Sequence, residues 1–339
     1  MPASSRFCTD RVLPRNLNRP QRLRMMRGGP ARAIIDFRRL WINGSTLQVR
    51  FLEGTTAQHN LVKEQAGWWT QHANLNFDFN DSPHAEIRIA FDPSDGAWSY
   101  VGTDARDIPV NAPTMNLGFT DGGTPAHEFG HAIGLQHEHQ NPQGGIQWNE
   151  DVVIQALSGP PNNWTRDQIE HNVLKKYSVD QIRGTEFDPD SIMLYFFPAE
   201  WTLNGIATKN NEILSMMDKD FIASAVAYPG RGETQAVELP VIDTTGVAAD
   251  IGVAGEEDLF TFHITKEGRY TIETGGQTDL VLKLFGPNSK TQLIAEDDDG
   301  GEGRNSRITA DLSSGDYFAQ VRHYNSSSGT GQYTIKVTH

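Results

Sequence analysis

Residues 124–142 read TPAHEFGHAIGLQHEHQNP, and the spacing of three histidines in this stretch restricts the fold more than any other feature of the chain. His127 and His131 stand four apart in an apolar, helix-compatible run, so both project from one helical face. Gly134 can take the positive φ that ends a helix, which lets the backbone turn and return His137 to the same point from outside the helix. Three neutral imidazoles aimed at one point suit a zinc ion, with a fourth position left for water.

Glu128 follows the first of these histidines and is rotated about a third of a turn from it, toward the open side of the metal rather than into the ligand set. A carboxylate there is placed to act as general base. Zinc lowers the pKa of its water toward ~7 and polarises a carbonyl, and the base then carries the proton to a leaving amine; together these imply amide hydrolysis. His139, two residues beyond His137, is expected to point elsewhere, into solvent, and not to be a ligand.

At 339 residues the chain has room for about two domains. Residues 1–40 carry ten arginines against Asp10 and Asp36, a net +8 in a chain of net −14, and their Pro, Gly and Arg cannot bury much surface. Residues 1–37 are therefore read as a pro-segment or a disordered basic segment. A strand in STLQVRFLEG comes next, then a helix in AQHNLVKEQAGWWTQHA with Leu61, Val62, Ala66 and Trp69 near one face. AEIRIAFD alternates Ile87, Ile89 and Phe91 with Glu86, Arg88 and Ala90, the pattern of a half-buried or edge strand, and TMNLGF supplies another. All seven Trp lie at or before Trp201, and residues 232–240, with Pro, Gly and polar residues, read as a linker. Residues 241–339 contain short β-rich runs separated by Gly, Asp and Ser turns, as expected of an antiparallel sandwich.

The acidic balance argues against nucleic acid as a partner. No run approaches the ~20 apolar residues of a membrane span, and the opening residues carry no apolar signal region. Cys8 is the single cysteine, so no intrachain disulfide forms.

The HExxHxxGxxH stretch with Glu138 after its third histidine resembles the astacin branch of the metzincin zinc peptidases. DSIMLY, residues 190–195, is similar to the methionine-bearing turn of that family. The resemblance spans residues 38–230 and implies an α+β metzincin catalytic domain, assigned to 38–231, which hydrolyses protein or peptide substrates. It further implies that Met193 fills the space beneath the metal and that the Tyr195 phenol approaches zinc and can swing to an oxyanion. Ala97–Tyr100 falls where the family has its cleft-edge strand, which pairs with substrate backbone. The side-chain pocket beside the metal is expected to have its wall at residues 196–201. Two departures stand out, the missing disulfides and the continuation HEHQNPQGGIQW where astacins carry an arginine and an acidic cluster.

A thiolate is a strong fourth zinc ligand, so Cys8 is a candidate latency ligand; Asp10 is the competing one, since astacins use an aspartate, and a thiol without a role is the third reading. DLFTFHI, DLVLKLFGP and SGDYFAQV resemble the bacterial pre-peptidase C-terminal domain, which implies an all-β jelly-roll-like sandwich over 241–339 and a secreted, extracellular protein. Asp297, Asp298 and Asp299 are candidate oxygen donors for calcium. The competing reading of the whole chain is a matrix- or glycan-binding protein, with contacts through this domain and a non-catalytic peptidase scaffold.

Overall fold

A computed structural model describes residues 8–11, 39–141, 143–176, 187–224, 227–230, 236–241, 245–325 and 328–339. Two compact units result, one ending at Gly232 and the other beginning at Glu233. Within residues 1–37 only Cys8–Arg11 are described, so the reading of that segment as pro-segment or disordered arm falls mostly outside the described residues.

In the first unit the strands are β1 (Cys8–Arg11), β2 (Thr46–Phe51), β3 (Asn76–Phe79), β4 (Ile87–Ala90), β5 (Ala97–Tyr100) and β6 (Met115–Leu117). Its helices are α1 (Thr56–Thr70), α2 (Thr124–Ala132), α3 (Glu150–Ser158), α4 (Arg166–Ile169) and α5 (Met216–Ile222). The strands form one sheet in the order β1-β5-β6-β4-β2-β3, in which only the β5–β6 pair is antiparallel.

A capping box starts α1: the Thr55 hydroxyl accepts from the Gln58 N–H and the Gln58 side chain accepts from the Thr55 N–H. Val62, Ala66 and Trp69 are buried as the periodicity predicts, but Leu61 is only partly covered and Gln65 takes the inward place. Gln65 belongs there because its amide ties the two helices together, donating to the Gly122 carbonyl at 2.8 Å and accepting from the Ala126 N–H at 3.1 Å.

The expectation of a half-buried or edge strand at 86–91 is corrected. β4 is internal, between β6 and β2, and Arg88 on it is buried. Its guanidinium donates to the carbonyls of Ala85, Ala112, Ile108 and Pro109, so a charged residue sits where alternation predicts a wet face. A second apolar cluster, including Trp148, Leu157, Trp164, Leu194 and Phe197, fixes α3 and α4 and the segment that follows Met193.

The second unit is all β: β7 (Val237–Glu238), β8 (Val247–Ile251), β9 (Glu257–Ile264), β10 (Gly268–Gly275), β11 (Leu280–Phe285), β12 (Leu293–Asp297), β13 (Arg307–Leu312), β14 (Gly315–His323) and β15 (Gly331–Thr338). Two sheets, β13-β10-β15-β8 and β12-β11-β14-β9-β7, enclose one core with Phe260, Phe262, Ile272, Leu282 and Tyr333. Part of the segment read as linker belongs to this sandwich, because β7 pairs with β9 and Leu239 is buried in its core. In the acidic run, Asp297 Oδ2 accepts from the Gly300 and Arg307 N–H groups at 2.8 and 2.7 Å. That carboxylate closes a turn, and no metal-capable cluster among the described residues includes it. No helix among them is long and apolar enough to cross a membrane.

Candidate metal centre

The site begins with α2, which starts at Thr124 with Pro125 in its first turn, where a missing N–H costs nothing. Trp69 Nε1 donates to the Ala126 carbonyl at 2.7 Å, anchoring the entry to α1. Gly130 is required in the middle of α2 because a Cβ there would lie 2.4 Å from Met193 Sδ. Gly134, at φ +106°, ends the helix as its position predicts. The buried helix-end carbonyls are satisfied from afar: Trp41 Nε1 donates to Ala132 and the Tyr228 hydroxyl to Ile133, both at 2.8 Å.

His127, His131 and His137 come together in the interior, with one donor atom of each lying within 4.8 Å of the others. The second ring nitrogen fixes the tautomer of two of them. His127 Nδ1 faces the Ile192 carbonyl at 2.8 Å and His131 Nδ1 faces the Leu135 carbonyl at 2.9 Å. A carbonyl only accepts, so each Nδ1 carries its proton and each Nε2 keeps a lone pair. His131 Nε2 lies 3.0 Å from His137 Nε2. Ligand nitrogens on a tetrahedral zinc at 2.0–2.1 Å are separated by about 3.3 Å, so this donor set fits the ion. Burial first, then the neighbouring His131, His139 and His127, hold His137 well below its usual pKa, and it stays neutral as ligation requires.

Met193 is buried in the core under α2. Its carbonyl accepts from the Glu138 N–H at 2.9 Å, which ties its turn to the residue after the third histidine. Glu138 itself is buried, accepts from Asn141 Nδ2 and the Asp188 N–H, and is pushed up to about 8 by burial. The sequence reading missed Asp218, whose carboxylate accepts from the Ser191 hydroxyl at 2.7 Å and the Ile192 N–H at 2.9 Å. Ser215 and Asp218 form the capping box of α5, a pattern visible in the sequence, but nothing there links it to a turn 24 residues upstream.

Cys8 lies in the cleft. Its residue keeps some exposure, while its thiol is enclosed beside Glu128 and has a ligand atom within 4.8 Å of donors on His127 and Glu128. Burial, followed by the charge of Glu128 and a hydrogen bond to it, raises the thiol well above its usual pKa. The Tyr195 hydroxyl donates to the Cys8 carbonyl, and its ring stacks on His139 at 4.6 Å. The expectation that His139 faces solvent is thus corrected: it is fully buried, with Nε2 bonded to the Asn172 carbonyl at 2.8 Å. Asp10 lies on β1, but its side chain is outside the described residues.

A cavity of about 710 Å³ adjoins His127, Tyr195 and Cys8. From the predicted wall at 196–201 only Phe196 lines it; Asp121, Thr208, Lys209, Asn210, Asn211 and Glu212 are among its other lining residues. Phe197 and Trp201 turn inward instead, Phe197 against Trp148 with centroids 4.8 Å apart. The strand expected at the cleft edge, β5, is internal in the sheet: it lies between β6 and β1 and pairs in parallel with β1, Cys8 opposite Ala97 and Arg11 opposite Tyr100.

Comparison with known proteins agrees with this arrangement. The profile for the astacin peptidase family matches residues 34–226, and that for the bacterial pre-peptidase C-terminal domain matches 256–323. The structure of myroilysin is 37% identical with a TM-score of 0.54, covering 56% of this chain and 96% of that one. Blastula protease 10 of Paracentrotus lividus is 29% identical over 149 residues, 42% of this chain and 23% of that protein. Astacin-like metalloprotease toxin 1 of Loxosceles intermedia is 27% identical over 158 residues, 46% of this chain and 54% of that protein. The chain thus spans about a quarter to a half of the length of these curated relatives. With its three converging histidines, the methionine beneath them and both profile matches, the chain belongs to the astacin family of peptidases and carries a pre-peptidase C-terminal domain after the family domain.

Proposed function

We propose that the chain is a zinc-dependent endopeptidase whose N-terminal strand, while attached, closes its own cleft. The observation that carries this reading is the pair of Nε2 atoms of His131 and His137 at 3.0 Å, with the His131 and His127 tautomers set by carbonyls. His127, His131 and His137 would hold the metal. Zinc, when bound, polarises the scissile carbonyl and makes water acidic enough to yield a nucleophile near neutral pH.

The protein's own groups do the rest. Glu128, buried on α2 beside His127, takes the proton of the attacking water and passes it to the leaving nitrogen. Tyr195, once released from the Cys8 carbonyl, donates its phenol proton in a hydrogen bond to the developing oxyanion. The outer side of β5, once β1 is gone, offers N–H and C=O groups to an extended peptide. Cys8 supports latency because its thiol lies among the same groups that must handle water and substrate. Cys8 would join the three histidines in holding the metal, as its thiolate.

The test is zinc analysis of the full chain with cleavage of a quenched peptide library, with and without chelator. Expected are one zinc per chain, chelator-sensitive cleavage by Cys8→Ala, and zinc but no cleavage in the Cys8→Ala, Glu128→Gln double variant. A zinc-loaded Cys8→Ala chain that cleaves no peptide overturns the reading in favour of a non-catalytic matrix- or glycan-binding protein.

A further inference from the structure

Three residues beyond Cys8 along β1, Arg11 enters a site built from two residues of the cleft edge. Its Nη2 lies 2.7 Å from both Asp95 oxygens, and its guanidinium carbon stands 3.6 Å from the centroid of the Trp98 ring. Trp98 Nε1 donates to Asp95 Oδ2 at 2.8 Å, so the indole itself aims the carboxylate. The turn that carries Asp95 is fixed independently of Arg11. Asp92 Oδ1 accepts from the Ser94 N–H and hydroxyl, and Asn116 Nδ2 donates to the Asp92 and Gly96 carbonyls.

Acceptor and aromatic face together match a guanidinium, which is planar, stacks on indole and donates to a carboxylate at its edge. A lysine ammonium would lose the stack. The adjoining cavity of about 570 Å³ is lined by Thr9, Arg11, Asp95, Trp98, Trp164 and Asp167 among others, and Arg11 is the only Arg or Lys among its lining residues. When β1 leaves, Asp95 and Asp167 stay among the described residues lining that cavity, and no lysine or arginine stays among them.

We propose that Asp95 and Trp98 form a guanidinium-binding subsite of the cleft, filled by Arg11 while β1 is docked and by an arginine side chain of a bound peptide once β1 has left. This rests on the reading of the cleft as a peptide-binding groove and adds its preferred side chain. The position selected is fixed by Asp95 and Trp98, not by the direction of the guest strand. Both charges of the Arg11–Asp95 pair are partly exposed, at 38% and 46%, so the preference is about tenfold rather than absolute.

The full chain carrying Cys8→Ala and Arg11→Ala loses the two side chains that anchor β1 and empties the guanidinium subsite for a direct test by fluorescence anisotropy. Two labelled probes are used, the heptapeptide FSTDRVL, patterned on residues 7–13, and the same peptide with neutral citrulline in place of its arginine. The arginine peptide is expected to bind about tenfold more tightly, and Asp95→Asn to erase the difference. Equal affinities, or a preference that survives Asp95→Asn, overturn the proposal. A second readout needs no free peptide: alkylation of Cys8 in the chelator-treated full chain. Arg11→Ala and Asp95→Asn should each speed it several-fold and the double variant no further; unchanged or additive rates also overturn the proposal. Library cleavage separates the two readings. Cleavage without arginine preference refutes the subsite alone, and arginine-selective binding without any cleavage refutes the peptidase alone.

Discussion

Met193 Sδ occupies the space that a side chain on Gly130 would need, 2.4 Å from where its Cβ would stand. The glycine between the two helical histidines is therefore a packing requirement, and it couples α2 to the turn beneath the site. Trp69 Cζ2 also lies 3.1 Å from that Cβ position. Gly130→Ala should cost about 1–3 kcal/mol despite the better helix propensity of alanine, because sulfur and indole must both move. Thermal denaturation of the metal-loaded chain measures this, and Met193→Ala in the same chain should recover part of the loss. Unchanged or raised stability in the single variant would contradict the packing.

Cys8 and Tyr195 are joined through the Cys8 carbonyl, so the group proposed to assist the oxyanion is engaged while β1 is docked. Cys8→Ala removes the thiol but leaves that carbonyl. Activity of the full chain toward a quenched peptide should rise by at least tenfold, and Tyr195→Phe in the Cys8→Ala background should then lower kcat about 10–100-fold with little change in KM. Equal activity of Cys8→Ala and the unaltered chain at matched zinc content would remove the latency role.

What the sequence made legible was local. The spacing of His127, His131 and His137 and the glycine at φ +106° follow from helix geometry over eleven residues. What stayed hidden depends on partners far along the chain. Arg88 reads as a wet residue until four carbonyls from 85, 108, 109 and 112 surround it, and Gln65 reads as polar surface until α2 supplies its partners. The pocket wall at 208–212 and the burial of His139 depend on loop paths that no period encodes. The resemblance pointed to a strand at 97–100, but not that β1 would pair along it and take the edge of the sheet.

In the C-terminal sandwich, Glu273 on β10 receives Arg307 Nε from β13 at 2.6 Å and Lys336 Nζ from β15 at 2.7 Å. Burial pushes its carboxyl up, but the hydrogen bonds and charges of Lys336 and Arg307 outweigh this and leave it below the usual glutamate value. A carboxyl depressed in the folded state stabilises above its unfolded pKa of about 4.5 and loses that contribution as pH falls through the folded value. Hydrogen-exchange protection of β10 amides should therefore drop on acidification below about pH 4.5, and Glu273→Gln should flatten the drop while lowering protection at pH 7. A slope unaffected by the substitution would locate the acid sensitivity elsewhere.

Asp218 reaches the metal site through other groups: its carboxylate holds the Ile192 N–H, and the Ile192 carbonyl in turn fixes His127 Nδ1. Burial raises its pKa, so its charge is a cost that grows as pH rises past the usual aspartate value, partly offset by bonds from Ile192, Ser191 and Ser215. The acceptors, rather than the charge, should then be what the site needs. In Asp218→Asn the amide oxygen can still accept from the Ile192 and Ser215 N–H groups, and the amide nitrogen can donate to the Ser191 oxygen. Zinc affinity, measured by competition with a chelator, should stay within about threefold, with less loss of stability as pH rises past the usual aspartate value. Asp218→Ala leaves the buried Ile192 N–H without its acceptor, at a cost of about 1–3 kcal/mol, and the part-buried Ser215 N–H at less, and loosens the carbonyl that orients His127. It should weaken zinc binding about 10–100-fold. Equal effects of the two substitutions would show that the charge itself matters, and no effect of either would detach Asp218 from the orientation of His127.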